Sequence, residues 1–199
     1  MTATREKTWT VEEYHRIIEA GILNEDDKIE LLDGRIVEMS AQTPPHAATT
    51  QRSSDYIKEI LAGQAHIRTQ LPITLATSEP EPDIAVVAID PSFYATHHPN
   101  PSEIFLLIEV SYSTLQIDRY EKAPIYARAN IAEYWILNVL DREAHIYRNP
   151  GPQGYQSEVV LQDNSLIRML AFPDIEISLS ELFFARAILA ESRSPLNPP

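Results

Sequence analysis

Three residues have side chains suited to metal-assisted hydrolysis of a phosphodiester bond: Asp83, Glu109 and Lys122. Glu109 directly follows the apolar run IFLLI, and Asp83 directly precedes the apolar run IAVV. Mg²⁺ takes hard oxygen ligands and usually keeps several waters, so one or two carboxylates suffice to hold it. A lysine near the attacking water can orient that water or help it lose a proton. The three residues therefore form a candidate hydrolytic site if the fold brings them together.

Each of the three residues also has a purely structural explanation. An aspartate after a proline, such as Asp83 after Pro82, commonly begins a strand or caps a turn. A buried carboxylate at the end of a strand, such as Glu109, is costly unless a metal, a cation or several donors compensate it. Lys122 taken alone would be an exposed helix lysine paired with Asp118, four residues earlier. The order and surroundings of the three residues together favour a shared site.

The pattern of apolar residues predicts the elements that must position these side chains. Residues 10–20 begin with a capping box, which predicts an amphipathic helix, and Asp33-Gly34 predicts a tight hairpin between two short strands. A second helix is predicted from residue 43 to residue 62. Strands are predicted at residues 66–75, 83–90, 104–108, 133–140, 144–149, 158–161 and 165–170, with further helices that end near residues 129 and 189. This order predicts an α/β (α+β) domain with a mixed central β-sheet flanked by helices.

Proline and asparagine residues modify this scheme at particular places. Pro72 predicts an edge position or a bulge for its strand, because proline cannot donate to a neighbouring strand. Pro124 follows Lys122 closely, and a proline inside a helix costs ~3 kcal/mol or more, so that helix is predicted to start late or to be kinked. Asn130 suits the left-handed position that ends a helix. Glu79 and Glu81 are predicted to lie in a solvated loop.

Composition sets the limits of the functional interpretation. The 199 residues predict one domain over residues 1–190 and a disordered tail at residues 191–199. Long apolar runs, a signal peptide and cysteines are all missing from the sequence, which predicts a cytoplasmic protein without membrane spans or disulfides. The net charge of −13 argues against a surface uniformly suited to nucleic acid. Clustered acids can nevertheless be metal ligands whose charge the ion cancels.

The chain resembles the putative restriction endonuclease family of the PD-(D/E)xK nuclease superfamily. The resemblance covers most of the chain and rests on residue types, their order and the surrounding strand pattern. The matching motifs are Pro82-Asp83, Glu109-Val110-Ser111, Ser113-Thr114, Asp118, Lys122, Tyr126 and Glu133-Tyr134-Trp135. It implies a restriction-endonuclease-like core and a Mg²⁺-dependent hydrolase that cuts DNA, with Mn²⁺ as an alternative ion.

The same resemblance implies roles for individual residues. Asp83 and Glu109 would be the metal ligands, and Lys122 would be the catalytic lysine, moved from the strand to the following helix. Ser111 stands where the superfamily usually keeps that lysine, and it is also a candidate substrate contact. Glu30, on the first strand of the predicted hairpin, would be an additional acid of the site.

Several other residues are candidates for contact with the substrate. One is His46, at the start of the second helix. Another is Tyr126, one turn beyond the candidate lysine. Three basic residues near the site are predicted to form a local positive rim, although the whole chain has a negative net charge: Arg52, Arg119 and Arg128. A homodimer is expected, because cutting both strands of a duplex is simplest for a two-fold assembly.

Two other functions fit the same residues. The negative charge and the absence of a clear basic stripe fit a catalytically silent module that keeps the nuclease fold and binds a protein or nucleic-acid partner. A metal hydrolase that acts on a smaller phosphodiester would use the same three residues and differ only in its groove. Binding of Mg²⁺ separates the silent module from both enzymes.

Overall fold

The computed structural model describes residues 6–184. This part of the chain is a mixed β-sheet flanked by helices, which confirms the predicted fold class. The predicted tail lies outside the described residues. The predicted C-terminal helix begins at Leu179 but ends at Leu182, because Phe183 is extended, so it is shorter than expected. Within the described part, no helix is long and apolar enough to cross a lipid bilayer.

The helices and strands follow one another in a mixed order. The helices are α1 (Val11–Glu19), α2 (Pro44–Ile60), α3 (Leu115–Ile117), α4 (Ala123–Arg128) and α5 (Leu179–Leu182). The strands are β1 (Ile29–Leu32), β2 (Arg35–Glu38), β3 (His66–Thr69), β4 (Ile84–Val87), β5 (Ile104–Ser111), β6 (Glu133–Asn138), β7 (Glu143–Gly151), β8 (Gly154–Gln162), β9 (Leu166–Met169) and β10 (Phe172–Ser178).

Among the described residues, the central sheet has six strands in the order β3-β4-β5-β6-β7-β8. Only the β5–β6 pair within this sheet is parallel, and α3 and α4 form the crossover between these two strands. Parallel neighbours need such a crossover, because a tight turn can only reverse the chain. The strand that carries Glu109 is therefore central, and the helical segment that carries Lys122 must pack back onto it.

The core divides between the two faces of this sheet, because side chains alternate along each strand. Leu106 and Ile108 of β5 pack with α2 and α5 on one face. Leu107 packs with the aromatic residues Tyr126 and Tyr134 on the other face. Glu109 follows Leu107 by two positions, so its carboxylate enters this second face.

The β1–β2 pair forms the predicted tight hairpin. Asp33 and Gly34 both have positive φ angles, 47° and 73°, as a two-residue turn of this type requires. The Gly34 N–H donates to the carbonyl of Thr77 at 2.9 Å, and the Gly34 carbonyl accepts from Trp9 at 2.8 Å. A Cβ atom at position 34 would lie 2.8 Å from the Trp9 carbonyl oxygen, so this close approach requires glycine.

A wide helical turn joins α3 to α4. Asp118–Lys122 is π-helical, and the Ala123 N–H bonds to the Asp118 carbonyl five residues earlier. Regular α-helix resumes at Ala123, with Pro124 as its second residue. Pro124 thus lies in a helical run that is continuous from Leu115 to Arg128, and the wide π-helical turn, not a late helix start, accommodates its missing N–H.

The structure departs from the predicted strand bounds at several places. β5 continues to Ser111, and β8 begins at Gly154, four residues before the predicted start.

Two further departures involve prolines. β3 ends at Thr69 because Gln70 has a left-handed φ of 51°, so Pro72 lies beyond the strand. β3 itself is an edge strand of the central sheet, which confirms the predicted edge position. β10 was not predicted, because Pro173 and the acids around it are unlike a central strand. Within the described part of the chain, it pairs with β9 alone, and the register is irregular between Phe172 and Glu176, which accommodates the proline.

Candidate active site

The β4–β5 pairing places Asp83 beside Glu109. Ile84 lies opposite Ile108 in the antiparallel register, so the preceding aspartate and the following glutamate meet at one end of the pair. The Val110 N–H donates to Asp83 Oδ2 at 2.8 Å, and the Asp83 N–H lies 3.4 Å from Glu109 Oε2. The two carboxylates expected to hold a metal are thus neighbours.

Lys122 enters the same site from the π-helical turn. Its Nζ lies 3.1 Å from Glu109 Oε1 and 3.4 Å from Glu30 Oε1. The three side chains are at most 9% exposed, so little solvent separates their charges. A buried ammonium is stable only beside such partners. The structure therefore brings together the acid of the hairpin, the acid of β5 and the lysine that sequence placed on the next helix.

Polar side chains hold the two carboxylates in place. His46 Nε2 donates to Asp83 Oδ2 at 3.0 Å, and Gln70 Nε2 donates to Asp83 Oδ1 at 3.1 Å. The Tyr126 hydroxyl donates to Glu109 Oε1 at 2.8 Å. Tyr126 is fully buried, so its hydroxyl serves the glutamate rather than reaching a substrate. His46, in contrast, borders the cleft described below.

Burial and neighbouring charges give the two carboxylates opposite protonation behaviour. Burial would raise the pKa of Asp83, but hydrogen bonds and charge from His46, with bonds from Val110 and Gln70, outweigh it and hold that pKa below its usual range. Burial raises the pKa of Glu109 to about 8, although the Lys122 charge opposes this shift. Asp83 is therefore an anion at neutral pH, whereas Glu109 holds a proton more readily.

The lysine and a further acid are also perturbed. Burial would lower the pKa of Lys122, but the charges of Glu109, Glu30 and Asp118 outweigh burial and raise it above its usual value. Burial raises the pKa of Asp118 to about 6, against the opposing charge of Lys122. Lys122 therefore stays protonated in the metal-free protein. A protonated lysine can stabilise negative charge, but it cannot accept a proton.

These groups open into one cleft of about 320 Å³. The acids Glu30, Glu38, Glu81, Asp83, Glu109, Asp118 and Glu121 line it. Among the lining residues, one arginine (Arg35) and one lysine (Lys122) carry positive charge. Val37, Met39 and Ile117 add apolar surface. Such an excess of carboxylates favours cations.

The β1–β2 hairpin covers one side of this cleft. Backbone bonds join Leu31 and Glu79 in both directions, at 2.8 and 3.4 Å. Glu79 is 5% exposed and accepts from His15 and Thr74, so its predicted place in a solvated loop is wrong. Glu81 lies in the same segment and borders the cleft, where burial raises its pKa.

Other predicted contacts lie away from the cleft. Ser111 is 1% exposed, and its Oγ accepts from Thr114 at 3.4 Å rather than facing the cleft. The expected arginine rim is not formed, because each of its members pairs with an acid elsewhere. These pairs are Arg52 with Glu181, Arg119 with Glu158 and Arg128 with Asp33.

Sequence reasoning assigned no role to Gln70, Glu81 or Thr114. The Thr114 hydroxyl donates to Asp118 Oδ2 at 2.9 Å and fixes the turn that precedes Lys122. The Ser113-Thr114 motif was a usable signal for this contact. Gln70 offered no signal, because its left-handed backbone, which aims the amide at Asp83, depends on the end of β3.

The donor set is compatible with a small hard cation. Across residues 6–184, no three histidine, aspartate or glutamate side chains are placed to hold a metal by themselves. Asp83 and Glu109 supply two adjacent carboxylates, and Mg²⁺ needs no more than one or two because it retains waters. Within residues 6–184, the hydrogen bond of Glu109 Oε2 is the long 3.4 Å contact with the Asp83 amide, so this oxygen is available as a ligand.

Comparisons with known proteins agree with the observed fold. One solved structure, described as "Crystal structure of a putative nuclease belonging to DUF820 from Anabaena variabilis ATCC 29413", is similar, with a TM-score of 0.70 and 16% identity. The similarity covers 87% of this chain and 97% of that chain, and at this identity it shows a shared fold. No curated protein matches the chain. The sequence profile of the Uma2 family, described as "Putative restriction endonuclease", matches residues 11–180. The chain therefore belongs to the Uma2 family of putative restriction endonucleases.

Proposed function

We propose that the protein is a Mg²⁺-dependent endonuclease that hydrolyses phosphodiester bonds of DNA. The observation that carries this proposal is the meeting of Asp83 and Glu109 on adjacent strands, with the Lys122 ammonium 3.1 Å from Glu109. Family membership supports a nuclease-like role. These are the charges that phosphodiester hydrolysis requires: anions for a metal and a cation for the phosphate.

Asp83 and Glu109 would hold the ion, and Mn²⁺ would be accepted by the same oxygen ligands. Mg²⁺ bound there would polarise the scissile phosphate and lower the pKa of a coordinated water. His46 and Gln70 orient Asp83 in advance, while Tyr126 orients Glu109. Orientation by hydrogen bonds matters because freely rotating ligands bind a metal less tightly.

Lys122 would stabilise the negative charge that develops at the phosphate and orient the attacking water. Glu30 holds this lysine from the hairpin side, so it acts through Lys122 and positions it. If a bound cation neutralised the charge of Glu109, the Lys122–Glu30 contact would still hold the ammonium at the site. If the lysine has moved from position 111 to the following helix, as the family resemblance implies, it would still lie beside the acids.

The test is nicking of supercoiled plasmid DNA in Mg²⁺ or Mn²⁺ by the wild-type protein and by Glu109→Ala. Loss of nicking in the variant is expected. Glu176→Ala is the control, because Glu176 is an exposed acid on β10 that pairs with Arg168, away from the cleft. Equal nicking by the wild type and Glu109→Ala would overturn the assignment.

A second candidate is a catalytically silent module that binds a protein or nucleic-acid partner. The ion pairs that occupy Arg52, Arg119 and Arg128 favour it, because they leave little free positive charge for DNA. Calorimetry with Mg²⁺ separates the two candidates. Absence of binding, together with absence of nicking, would favour the silent module. Hydrolysis of bis(p-nitrophenyl) phosphate without nicking would favour a smaller phosphodiester.

We also propose a homodimer, for which the outer edge of β8 is the best support. β8 has nine residues and no lysine, arginine or proline, the residues that commonly protect an edge strand. Val159 and Val160 are 49% and 46% exposed there. Pairing of two such edges around a two-fold axis would extend the sheet across the dimer. The cytoplasmic location stays a prediction from the cysteine-free sequence.

A further inference from the structure

We infer that this cleft takes an unpaired DNA strand, such as a single-stranded segment or a frayed end, and excludes the interior of an intact duplex. The inference rests on the proposed function, since it names the form of DNA that the same site would cut. It is carried by the depth of the reactive groups, the hairpin that covers them, the charge of the cleft and its apolar walls.

The reactive groups are deep. Asp83, Glu109 and Lys122 are 7%, 3% and 8% exposed, so a phosphate must enter the cleft to touch them. The cleft volume of about 320 Å³ lies near the lower end of pockets that enclose small ligands, ~300–1,000 Å³. A nucleotide or two can occupy such a space, whereas a duplex carries its phosphates on the outside of a much wider body.

The hairpin narrows access to the cleft, because its contacts tie it to two other segments of the chain. Gly34 is joined to Thr77 through a 2.9 Å backbone bond, beside the Leu31–Glu79 pair. Arg35 pairs with Glu121 of the helical segment at 3.0 Å. A flexible single strand needs less room beside this hairpin than a stiff double helix does.

Charge favours the single strand as well. Seven acids line the cleft against Arg35 and Lys122, and the whole chain carries a net charge of −13. A duplex brings one negative charge per ~1.7 Å of its axis, whereas one strand brings one per ~3.4 Å. The repulsion that a bound metal must offset is therefore smaller for a single strand.

Apolar side chains border the cleft on two walls. Val37 and Met39 come from the hairpin side, and Ile117, which is 41% exposed, comes from the helical segment. The faces of a base are apolar, and in a duplex the neighbouring bases cover them. A base must leave the stack before it can contact such walls, as it does in enzymes that act on unstacked nucleotides.

The experiment compares two fluorescent DNA probes of the same sequence by anisotropy in Ca²⁺. One is a 12-nucleotide single strand, and the other is a duplex whose ends are closed by loops. The single strand is expected to bind at least about tenfold more tightly, in line with its lower charge density. Equal or tighter binding of the closed duplex, or binding of neither probe, would overturn the inference.

Cleavage in Mg²⁺ separates failure of this inference from failure of the proposed function. If the closed duplex is cut as fast as the single strand, the unpaired-strand inference fails and the endonuclease stands. If the single strand binds selectively but neither probe is cut, the endonuclease fails and the binding preference stands. Supercoiled plasmid should also be nicked faster than relaxed closed circles, because negative supercoiling favours local strand separation.

A matched pair of variants tests the apolar wall. Ile117→Ser should weaken binding of the single strand about fivefold, the effect of losing one apolar contact. Ile22→Ser is the control, since Ile22 is 71% exposed and does not line the cleft. Both positions are at least two-fifths exposed, so folding should be retained. Identical affinities of the two variants would contradict the role of this wall.

Discussion

The Tyr126 hydroxyl donates to Glu109 Oε1 at 2.8 Å, and both side chains are almost completely buried. Lys122 contacts the same oxygen at 3.1 Å. Two donors thus converge on Oε1 and direct it toward the helix, which leaves Oε2 as the oxygen beside Asp83. The orientation of the candidate metal ligand is thus fixed by Tyr126, a residue that is fully buried.

Tyr126→Phe should reduce both stability and nicking. The substitution removes one donor from a buried carboxyl oxygen, which costs about 1–2 kcal/mol of unfolding free energy. Urea unfolding measures the stability, and plasmid nicking measures the activity. Tyr120→Phe is the control, because Tyr120 lies in the same helical segment and is 64% exposed. If the two variants behave alike, the hydroxyl does not position Glu109.

Binding of Mg²⁺ should strengthen as pH rises. Burial raises the pKa of Glu109 to about 8, so at neutral pH the metal-free carboxyl is largely protonated and a ligating metal must displace that proton. Below about pH 8 the affinity should rise by about tenfold per pH unit, and above it the affinity should level off. Titration calorimetry in two buffers of different ionisation enthalpy would detect the released proton. An affinity that is constant from about pH 6 to pH 9 contradicts this.

Two substitutions of His46 should separate its two ring nitrogens. The amide nitrogen of glutamine can replace Nε2, which contacts Asp83, whereas that of asparagine lies closer to the place of Nδ1. His46→Asn should therefore weaken Mg²⁺ binding by about tenfold, and His46→Gln should preserve most of it. Calorimetry at one fixed pH compares them. The reverse order would show that the Asp83 contact is unimportant for the metal.

Val160→Lys should dissociate the proposed dimer. A lysine on the outer edge of β8 places a charge where a second strand would pair, as natural edge strands do. Light scattering after size-exclusion chromatography should show a monomer, with the dissociation constant raised at least about tenfold. Ile22→Lys is the control, because Ile22 is an exposed apolar residue that lies outside β8. A monomeric wild type, or an unchanged dimer in the variant, would exclude this interface.

Glu133 belongs to the Glu-Tyr-Trp motif but supports the fold rather than the cleft. It is fully buried and accepts bonds from Arg148 at 2.8 Å, Trp135 at 3.0 Å and the Leu170 N–H at 2.7 Å. Glu133→Ala should cost about 3 kcal/mol of unfolding free energy, because these donors lose their acceptor. Urea unfolding measures this loss. A loss below about 1 kcal/mol would contradict the structural role.

The meeting of Asp83, Glu109 and Lys122 could be predicted because each is fixed by a local pattern. The two acids lie at the ends of short apolar strands, and the lysine follows on the next helix. Antiparallel pairing of neighbouring strands then leaves few alternatives for their relative position. The turn at Asp33-Gly34 was equally readable, since few residue pairs tolerate two positive φ angles.

The remaining parts of the site depend on contacts between distant segments. Glu79 pairs with His15, sixty-four positions away, and no local pattern announces that partnership. Ser111 could be recognised as the position where the superfamily usually keeps its lysine. Its burial, however, depends on how the Ser113-Thr114 segment folds back onto it. The role of Gln70 depends on where β3 ends. Such long-range packing is what single-sequence patterns do not contain.

The π-helical turn at Asp118–Lys122 also determines which side of α4 faces the sheet. Each residue of an α-helix advances about 100° around the axis, so deletion of one residue from this turn would rotate everything after it by that amount. Pro124, Tyr126 and the apolar face of α4 would then lose their alignment with the sheet. The extra residue in the turn therefore lets Lys122 point at the acids while α4 still packs its buried face on the core.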